Sequence, residues 1–466
     1  MIILNFVIHK KKLRMNDQIK STPAEKWIIN PVNNFISKST TGGIILFVSA
    51  LIAIFLANSS LSEEYHHIWE HTIGFSFDGE TYLNFSIHHW VNDGLMAIFF
   101  FVVGLELKRE IIGGELSSPK NALLPIVAAV GGMVFPALIY SIFNSGSESS
   151  HGWGIPMATD IAFALGVLYL LGNKIPTSLK VFLTALAIVD DLGAVLVIAF
   201  FYTAEINFPM LFTGIGFVAF LFFSKAFGIR NTLFYAIVGI FGVWLPFLIS
   251  GVHATIAAVL VAFTIPADSK VDEILFVDKI KKYLNKFKEA DINSAPTLTE
   301  EQLHLLEHIR VTTKDAMTPL QRLEHRMHAL VSFIIMPIFA LANAGVTFSN
   351  DILAETTSNV TLGVVCGLVV GKVIGVFGVS WLMVKLKWAN IPFGLTNMHL
   401  FGVGFLASIG FTMSLFVTNL AFHNPEFELQ AKLGIFIASS IGGILGFIIL
   451  NKNSKSLNIN NLNTDA

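Results

Sequence analysis

Two adjacent aspartates, Asp190 and Asp191, stand in the middle of an apolar run from Ser178 to Thr203, and a lone lysine, Lys372, stands deep in another that begins at Thr361. A third carboxylate, Asp160, follows Thr159 in an apolar stretch that starts near Gly154. An ionisable side chain at the centre of a hydrophobic span costs about 2.5 to 3.5 kcal/mol on insertion scales, so a chain that keeps several of them is using them. Counted from Ser178, the aspartate pair lies about 18 Å along a helix, near the middle of a hydrocarbon layer about 30 Å thick. Successive helical residues point about 100° apart, so Asp190 and Asp191 cannot both face one partner and should have different tasks. Desolvation makes a carboxylate hold its proton more tightly, and a neighbouring carboxylate adds to this. Protons can then compete with a hard cation that takes oxygen ligands, which is ion/proton exchange in its minimal form. The alternative is a buried network of one lysine and its aspartates that merely locks helices together; a net excess of carboxylates makes a poor lock.

The elements that position these groups must be membrane helices. The chain has 466 residues, of which 54% are hydrophobic and 13% charged, with a mean hydropathy of +0.68, which excludes a water-soluble globule. A net charge of -2 argues against a nucleic-acid binder, and the single Cys366 excludes an internal disulfide or a multi-cysteine zinc site. We predict twelve spans beginning near Gly43, Trp90, Asn121, Gly154, Ser178, Phe208, Thr232, His253, Leu330, Thr361, Leu400 and Leu433, the eighth of them, Val252 to Pro266, being short. Lysine and arginine stay in cytoplasmic loops. They occur before the first span (Lys10 to Lys38), at Lys108, Arg109 and Lys120, at Lys174 and Lys180, at Lys225 and Arg230, from Lys270 to Arg326, at Lys385 and Lys387, and at Lys452 and Lys455. Both termini are therefore expected in the cytoplasm, and Lys432 is the single basic residue on the opposite side.

This divides the chain into a cytoplasmic tail (1–41), a transporter domain (42–451) and a second tail (452–466). Met1 to Ile8 is apolar but precedes Lys10 to Lys12, the reverse order of a secretory signal, so it reads as tail, with Met15 an alternative start. Strand-forming residues around Asp78-Gly79 predict an external β-hairpin over about 73–88. A cytoplasmic insert over about 267–327 holds two helical stretches, 280–288 and 299–310. Gly154, Pro156 and Thr159 before Asp160, and Gly402, Gly404, Ser408 and Gly410 before Phe411, predict two interrupted spans, a transporter pattern; the plainer reading is packing glycines and an ordinary kink. Gly363, Gly367, Gly371 and Gly375, at four-residue spacing around Lys372, read as close helix packing.

The strings P-M-A-T-D-I-A-F-A (156–164) and A-L-A-I-V-D-D-L-G-A (185–194) resemble those of the NhaA-type sodium/proton antiporters. V-G-L-E-L-K-R-E (103–110), G-V-H-A-T (251–255), F-A-L-A-N-A-G-V (339–346) and I-G-F-T-M-S (409–414) match in the same order. The resemblance implies an all-α integral membrane protein of twelve transmembrane helices with inverted repeats, two interrupted crossing helices and a small external β-hairpin; this family is itself a known example of inverted-repeat architecture. It implies that Asp191 and Asp190 bind the transported sodium ion and the proton, with Asp191 the principal ligand, and that Thr159 adds a hydroxyl. Asp160 and Lys372 would compensate the dipole ends of the crossing helices, and Lys372 would pair with Asp190 and exchange its proton. The implied protein is no enzyme and holds no cofactor. It exports sodium or lithium against incoming protons, electrogenically and more actively at alkaline pH, in a bacterial inner membrane.

The matching pH-response residues are Glu106, Arg109 and Glu110, then Glu324, His325 and His328 in R-L-E-H-R-M-H, and His253. The plainer reading makes the clusters interfacial residues that solvate helix ends and His253 a capping residue. Asp93 reads as structural. The hairpin resembles one that pairs two subunits, so a homodimer surrounded by membrane lipid is expected. The long insert departs from the short connection usual in better-known members and puts the pH set-point in question. Three other readings compete: a sodium-coupled organic-anion symporter of similar fold, an intramembrane aspartyl protease, which needs a G-x-G-D motif absent here, and a pH-responsive membrane scaffold.

Overall fold

In lipid a backbone has no water to bond, so apolar segments satisfy their own amides as helices. The computed structural model describes residues 39–453 except 79, 204–205, 291–296 and 349–351, and it is almost entirely helical. Nearly all of the N-terminal tail, most of the C-terminal one and Gly79 of the expected turn lie outside the described residues.

The first helix, α1 (Ser39–Ala57), bends by 113° into the short α2 (Ser62–Glu70). A hairpin of β1 (Thr72–Phe77) and β2 (Glu80–Ser86) follows, antiparallel, with Thr72 opposite Ser86 and an irregularity between Ile73 and Phe75. A π-helical turn at Trp90–Leu95 leads into α3 (Met96–Gly113). Next come α4 (Pro119–Asn144), a 3-10 segment at Glu148–Met157, α5 (Ile161–Leu170), α6 (Thr177–Phe201) and α7 (Phe208–Ala226). The helix α8 (Thr232–Ser250) and the eleven-residue α9 (Ala254–Thr264) complete the first part. Two extramembrane helices, α10 (Glu273–Glu289) and α11 (Glu300–Ala316), precede α12 (Pro319–Asn343), α13 (Asn359–Lys385), α14 (Asn397–Ala407), α15 (Phe411–Ala421) and α16 (Pro425–Asn453).

Among the described residues seven helices are long and apolar enough to cross a membrane, or up to ten if each of three bent pairs is one span. This is a multi-pass helical membrane protein. Two starts differ from the sequence expectation. α12 begins at Pro319 rather than Leu330, because Thr318 caps it, accepting from Gln321 N, and Pro319 occupies its first turn. The motif R-L-E-H-R-M-H thus rides on the helix that continues into the span instead of lying in the insert. α16 likewise begins at Pro425 rather than Leu433, with Glu426 and Glu428 in its first turn. In both cases charged opening turns conceal the helix start from a hydropathy reading. The insert helices are also longer than expected: Asp272 caps α10, and a capping box of Thr299 and Gln302 starts α11.

The glycines around Lys372 let α13 lie directly on α4. A Cβ on Gly371 would come 2.7 Å from Pro136 Cα, one on Gly367 3.1 Å from the Pro136 carbonyl oxygen, and one on Gly375 would overlap the Gly131 carbonyl. This backbone contact is the close packing expected from their spacing. Gly375→Ala is therefore expected to destabilise the protein by about 2 kcal/mol or more, seen as a lowered thermal midpoint in detergent. An unchanged midpoint would mean that the two helices separate freely there. A further long-range tie acts at the short α9: the buried Lys108 of α3 donates to the carbonyls of Phe263, at 2.6 Å, and of Ile265. An ammonium there satisfies carbonyls that the helix end leaves without partners and opposes its negative pole.

Candidate ion site

The chain that becomes α5 cannot continue as helix through Ala158 and Thr159, where the backbone is extended between the 3-10 segment and α5. The corresponding break between α14 and α15 spans Ser408 to Gly410, and the two halves meet at 42° in the first case and 43° in the second. Both interruptions fall where the glycines and proline of the sequence place them. They face each other: Thr159 Oγ1 donates to the Ala407 carbonyl at 2.9 Å, and Asp160 N donates to the Ile409 carbonyl at 2.7 Å.

Asp160 sits at the start of both half-helices. Its Oδ1 accepts from Phe163 N at 2.9 Å, capping α5, and its Oδ2 accepts from Thr412 N at 3.1 Å and from the Thr412 hydroxyl, at the start of α15. One buried carboxylate thus answers the positive ends of two helices. Thr412 lies within I-G-F-T-M-S, where sequence alone assigns it no role; its position two residues past Gly410 in an interrupted span is the available signal. Lys108, within V-G-L-E-L-K-R-E, reads from sequence only as a topology marker, because its partners lie 155 and 157 residues away.

Asp190 and Asp191 occupy the middle of α6, with 1% and 0% of their surface exposed. Lys372 Nζ lies 2.6 Å from Asp190 Oδ2, a buried ion pair that joins α13 to α6. Among the described residues this is the hydrogen bond that Lys372 makes; no helix-end carbonyl takes its ammonium. Asp191 is different: among the described residues neither of its carboxylate oxygens has a hydrogen-bond partner, and Asp190 Oδ1 has none. Buried polar atoms are almost always paired, yet among the described residues these three carboxylate oxygens at mid-span are without a partner. Oxygen donors without protons suit a hard monovalent or divalent cation or a proton, which are alternative occupants of the same lone pairs.

The remaining candidates fall in two places. Arg109 Nη1 reaches Glu324 Oε1 at 2.7 Å and its Nη2 reaches Glu110 Oε1 at 2.9 Å, so one guanidinium joins the two sequence clusters across α3 and α12. Glu106 lies one turn before Glu110 on α3, and on α12 His325 follows Glu324 directly with His328 one turn beyond Glu324. His253 precedes α9 but does not cap it; its Nε2 instead lies 2.9 Å from the Tyr202 carbonyl. It is therefore held to the end of α6, away from the Arg109 junction in the chain's connectivity. Asp93 pairs with His89 at 3.5 Å.

A sequence profile for the family described as Na+/H+ antiporter 1 matches residues 33–450. The Na(+)/H(+) antiporter NhaA 1 of Saccharophagus degradans is 46% identical over 451 residues, covering 95% of this chain and 96% of the relative. The Na(+)/H(+) antiporter NhaA of Wolinella succinogenes is 47% identical over 418 residues, 90% of this chain and 92% of its own. That of Sulfurimonas denitrificans is 48% identical over 434 residues, 92% and 97% of the two chains.

Proposed function

The chain belongs to the NhaA family of Na+/H+ antiporters, a transporter and not an enzyme, and from that premise we propose that Asp191 and Asp190 carry the ions it exchanges. This membership sets aside the organic-anion symporter, protease and scaffold readings. The observation that supports the assignment is the fully buried Asp191 with both oxygens unpartnered beside the Asp190–Lys372 pair. In the cycle we propose, Na+ or Li+ displaces protons from the aspartates, with Thr159 offering its hydroxyl oxygen as a further ligand. When the cation binds, Asp190 releases Lys372, and the ammonium gives up or regains a proton as the pair separates and re-forms.

Asp160 would hold the positive ends of the crossing half-helices and Lys372 would offset the opposite ends, within a fold of twelve spans related by inverted repeats. Two of those spans, the one ending in α3 and the one formed by α9, are charged or short enough to need neighbouring helices as cover. Lysine and arginine placement supports cytoplasmic termini in a bacterial inner membrane, with sodium moving outward and more protons moving inward. Each net charge then gains about 2.3 kcal/mol per 100 mV of membrane potential. Alkaline activation would act at the Arg109 junction, through Glu106, Glu110, Glu324, His325 and His328, with His253 contributing from the end of α6.

The test is proton release from acidified everted vesicles on adding sodium, lithium or potassium across a pH series. Sodium and lithium should collapse the proton gradient, increasingly so toward alkaline pH; no response to either at any pH would overturn the proposal. Dimerisation through the hairpin is supported by the exposed Ile73, Phe75 and Tyr82 on two edge strands. Replacing 72–86 by a short Gly-Ser linker should convert a dimer to a monomer in light scattering, and an unchanged mass would place the interface elsewhere.

A further inference from the structure

The insert is anchored at its base, and the described parts of its two helices pack mainly on each other. Leu320 N donates to the Pro266 carbonyl at 3.1 Å, Lys270 N donates to the Asp315 carbonyl at 3.0 Å, and Lys270 Nζ pairs with Asp315 at 3.1 Å. Arg230, at the start of α8, pairs with Asp268 at 3.3 Å. These ties fix both feet of the insert where α9 ends and α12 begins. Above them α10 and α11 pack on each other, with the Tyr283 and His308 rings stacked 5.3 Å apart and 8° from parallel. Neither packs extensively on a membrane helix.

The two helices divide their charge. α10 carries Lys279, Lys281, Lys282, Lys286 and Lys288 against three carboxylates, whereas α11 carries Glu300, Glu301, Glu307 and Asp315 against Arg310 and Lys314. All five lysines of α10 are exposed, and among the described residues none lies within ion-pair reach of a carboxylate. On α11, by contrast, the hydrogen bond from Arg310 holds the Glu307 carboxyl below its usual range. Beside the lysines α10 leaves apolar side chains open: Ile274 is 73% exposed and Leu275 55%, both in the turn nearest the anchored base. Val277 and Leu284 are 46% and 48% exposed on one side of Ile274, with Leu275 about 100° round on its other side.

We propose that α10 lies on the membrane surface beside the bundle and binds the anionic headgroups of phospholipids, its lysines on the phosphates and Ile274, Leu275 and Val277 dipping into the interface. Charge decides the orientation: an anionic surface attracts the basic helix and repels α11, so the hairpin settles with α10 down. A polybasic segment gains binding energy lysine by lysine within a Debye length of such a surface, and a tethered one starts at high effective concentration. The partner is a lipid surface rather than a protein, because α10 mixes unpaired lysines with scattered aliphatics and forms no groove. The inference draws on the bundle spanning a membrane, not on which ions it moves or which side the insert occupies.

The full-length chain with Cys366→Ser and Ile274→Cys, labelled at position 274 with a bimane fluorophore, tests this in vesicles. Phosphatidylcholine alone should leave the label in water. Adding phosphatidylglycerol to about one third should shift its emission to the blue and lower iodide quenching about twofold, and about 1 M potassium chloride should reverse both changes. Replacing all five lysines by glutamine, which keeps helix propensity, should abolish the lipid effect while hydrogen exchange across α11 shows the hairpin still folded. Equal emission in both vesicle types overturns the proposal. So does protection in phosphatidylcholine alone, which signals contact with a second copy or the bundle, or protection that survives in the five-glutamine variant. None of these readouts needs transport, so a failed lipid effect leaves the ion site standing.

Discussion

Asp191→Asn is expected to abolish sodium-driven proton release from everted vesicles, by at least about a hundredfold, at every pH at which the parent works. Asparagine matches aspartate in shape but neither carries charge nor titrates. In a dry site a neutral amide gives a monovalent cation far less than a carboxylate does, and it has no proton to surrender. Folding should hardly suffer, because neither Asp191 oxygen accepts a hydrogen bond within the protein. The thermal midpoint should stay level or rise, since a neutral amide replaces a carboxyl group that is desolvated without a partner. Loss of transport with retained stability separates an ion ligand from a structural residue. Exchange at the parent's rate would remove Asp191 from the site, and loss of both would return it to the helix-locking reading.

The opposite signature is expected at Lys372. Removing one partner of a buried ion pair leaves the other charge unpaired, which costs about 3 to 5 kcal/mol, so Lys372→Ala should lower the thermal midpoint sharply by stranding Asp190. Asp190→Asn combined with Lys372→Gln should recover most of that loss, because neither neutral amide strands a charge. The transport measurement is made with a potassium-diffusion potential across proteoliposomes. If Lys372 takes part in the proton cycle, the exchange that survives in Lys372→Ala no longer responds to the potential. A surviving exchange that still responds would leave the aspartates in place and reduce Lys372 to a structural partner.

Charges in apolar runs make the candidate site legible in the amino-acid sequence. Asp160, Asp190, Asp191 and Lys372 stand out because a bilayer penalises each of them, and the glycines at four-residue spacing around Lys372 mark the face on which α13 meets α4. The two breaks are legible for a similar local reason, glycine and proline before a polar residue. Pairing across distance is what the sequence does not disclose. Nothing local tells Asp160 that Thr412, 252 residues on, will share it, or Lys108 that it will hold the end of α9. Arg109 reads as one more basic residue at a loop until α12 brings Glu324 beside it. The starts of α12 and α16 are concealed because a hydropathy scan reads charged first turns as loop, although Thr318-Pro319 is a start signal of another kind.

The contact between the two breaks itself restricts how the protein can move. Thr159 to Ala407, Asp160 to Ile409, and Asp160 to the amide and hydroxyl of Thr412 rivet one interrupted chain to the other. Two unwound segments would ordinarily supply two independent hinges. Bonded to each other and sharing one counter-charge, they behave as a single joint with few internal degrees of freedom. Bending one half-helix alone would have to break several buried hydrogen bonds at once. If Asp190 and Asp191 carry the exchanged ions, the rearrangement that opens them first to one side and then to the other carries this joint whole, with the slip taken up where the joint's helices meet their neighbours.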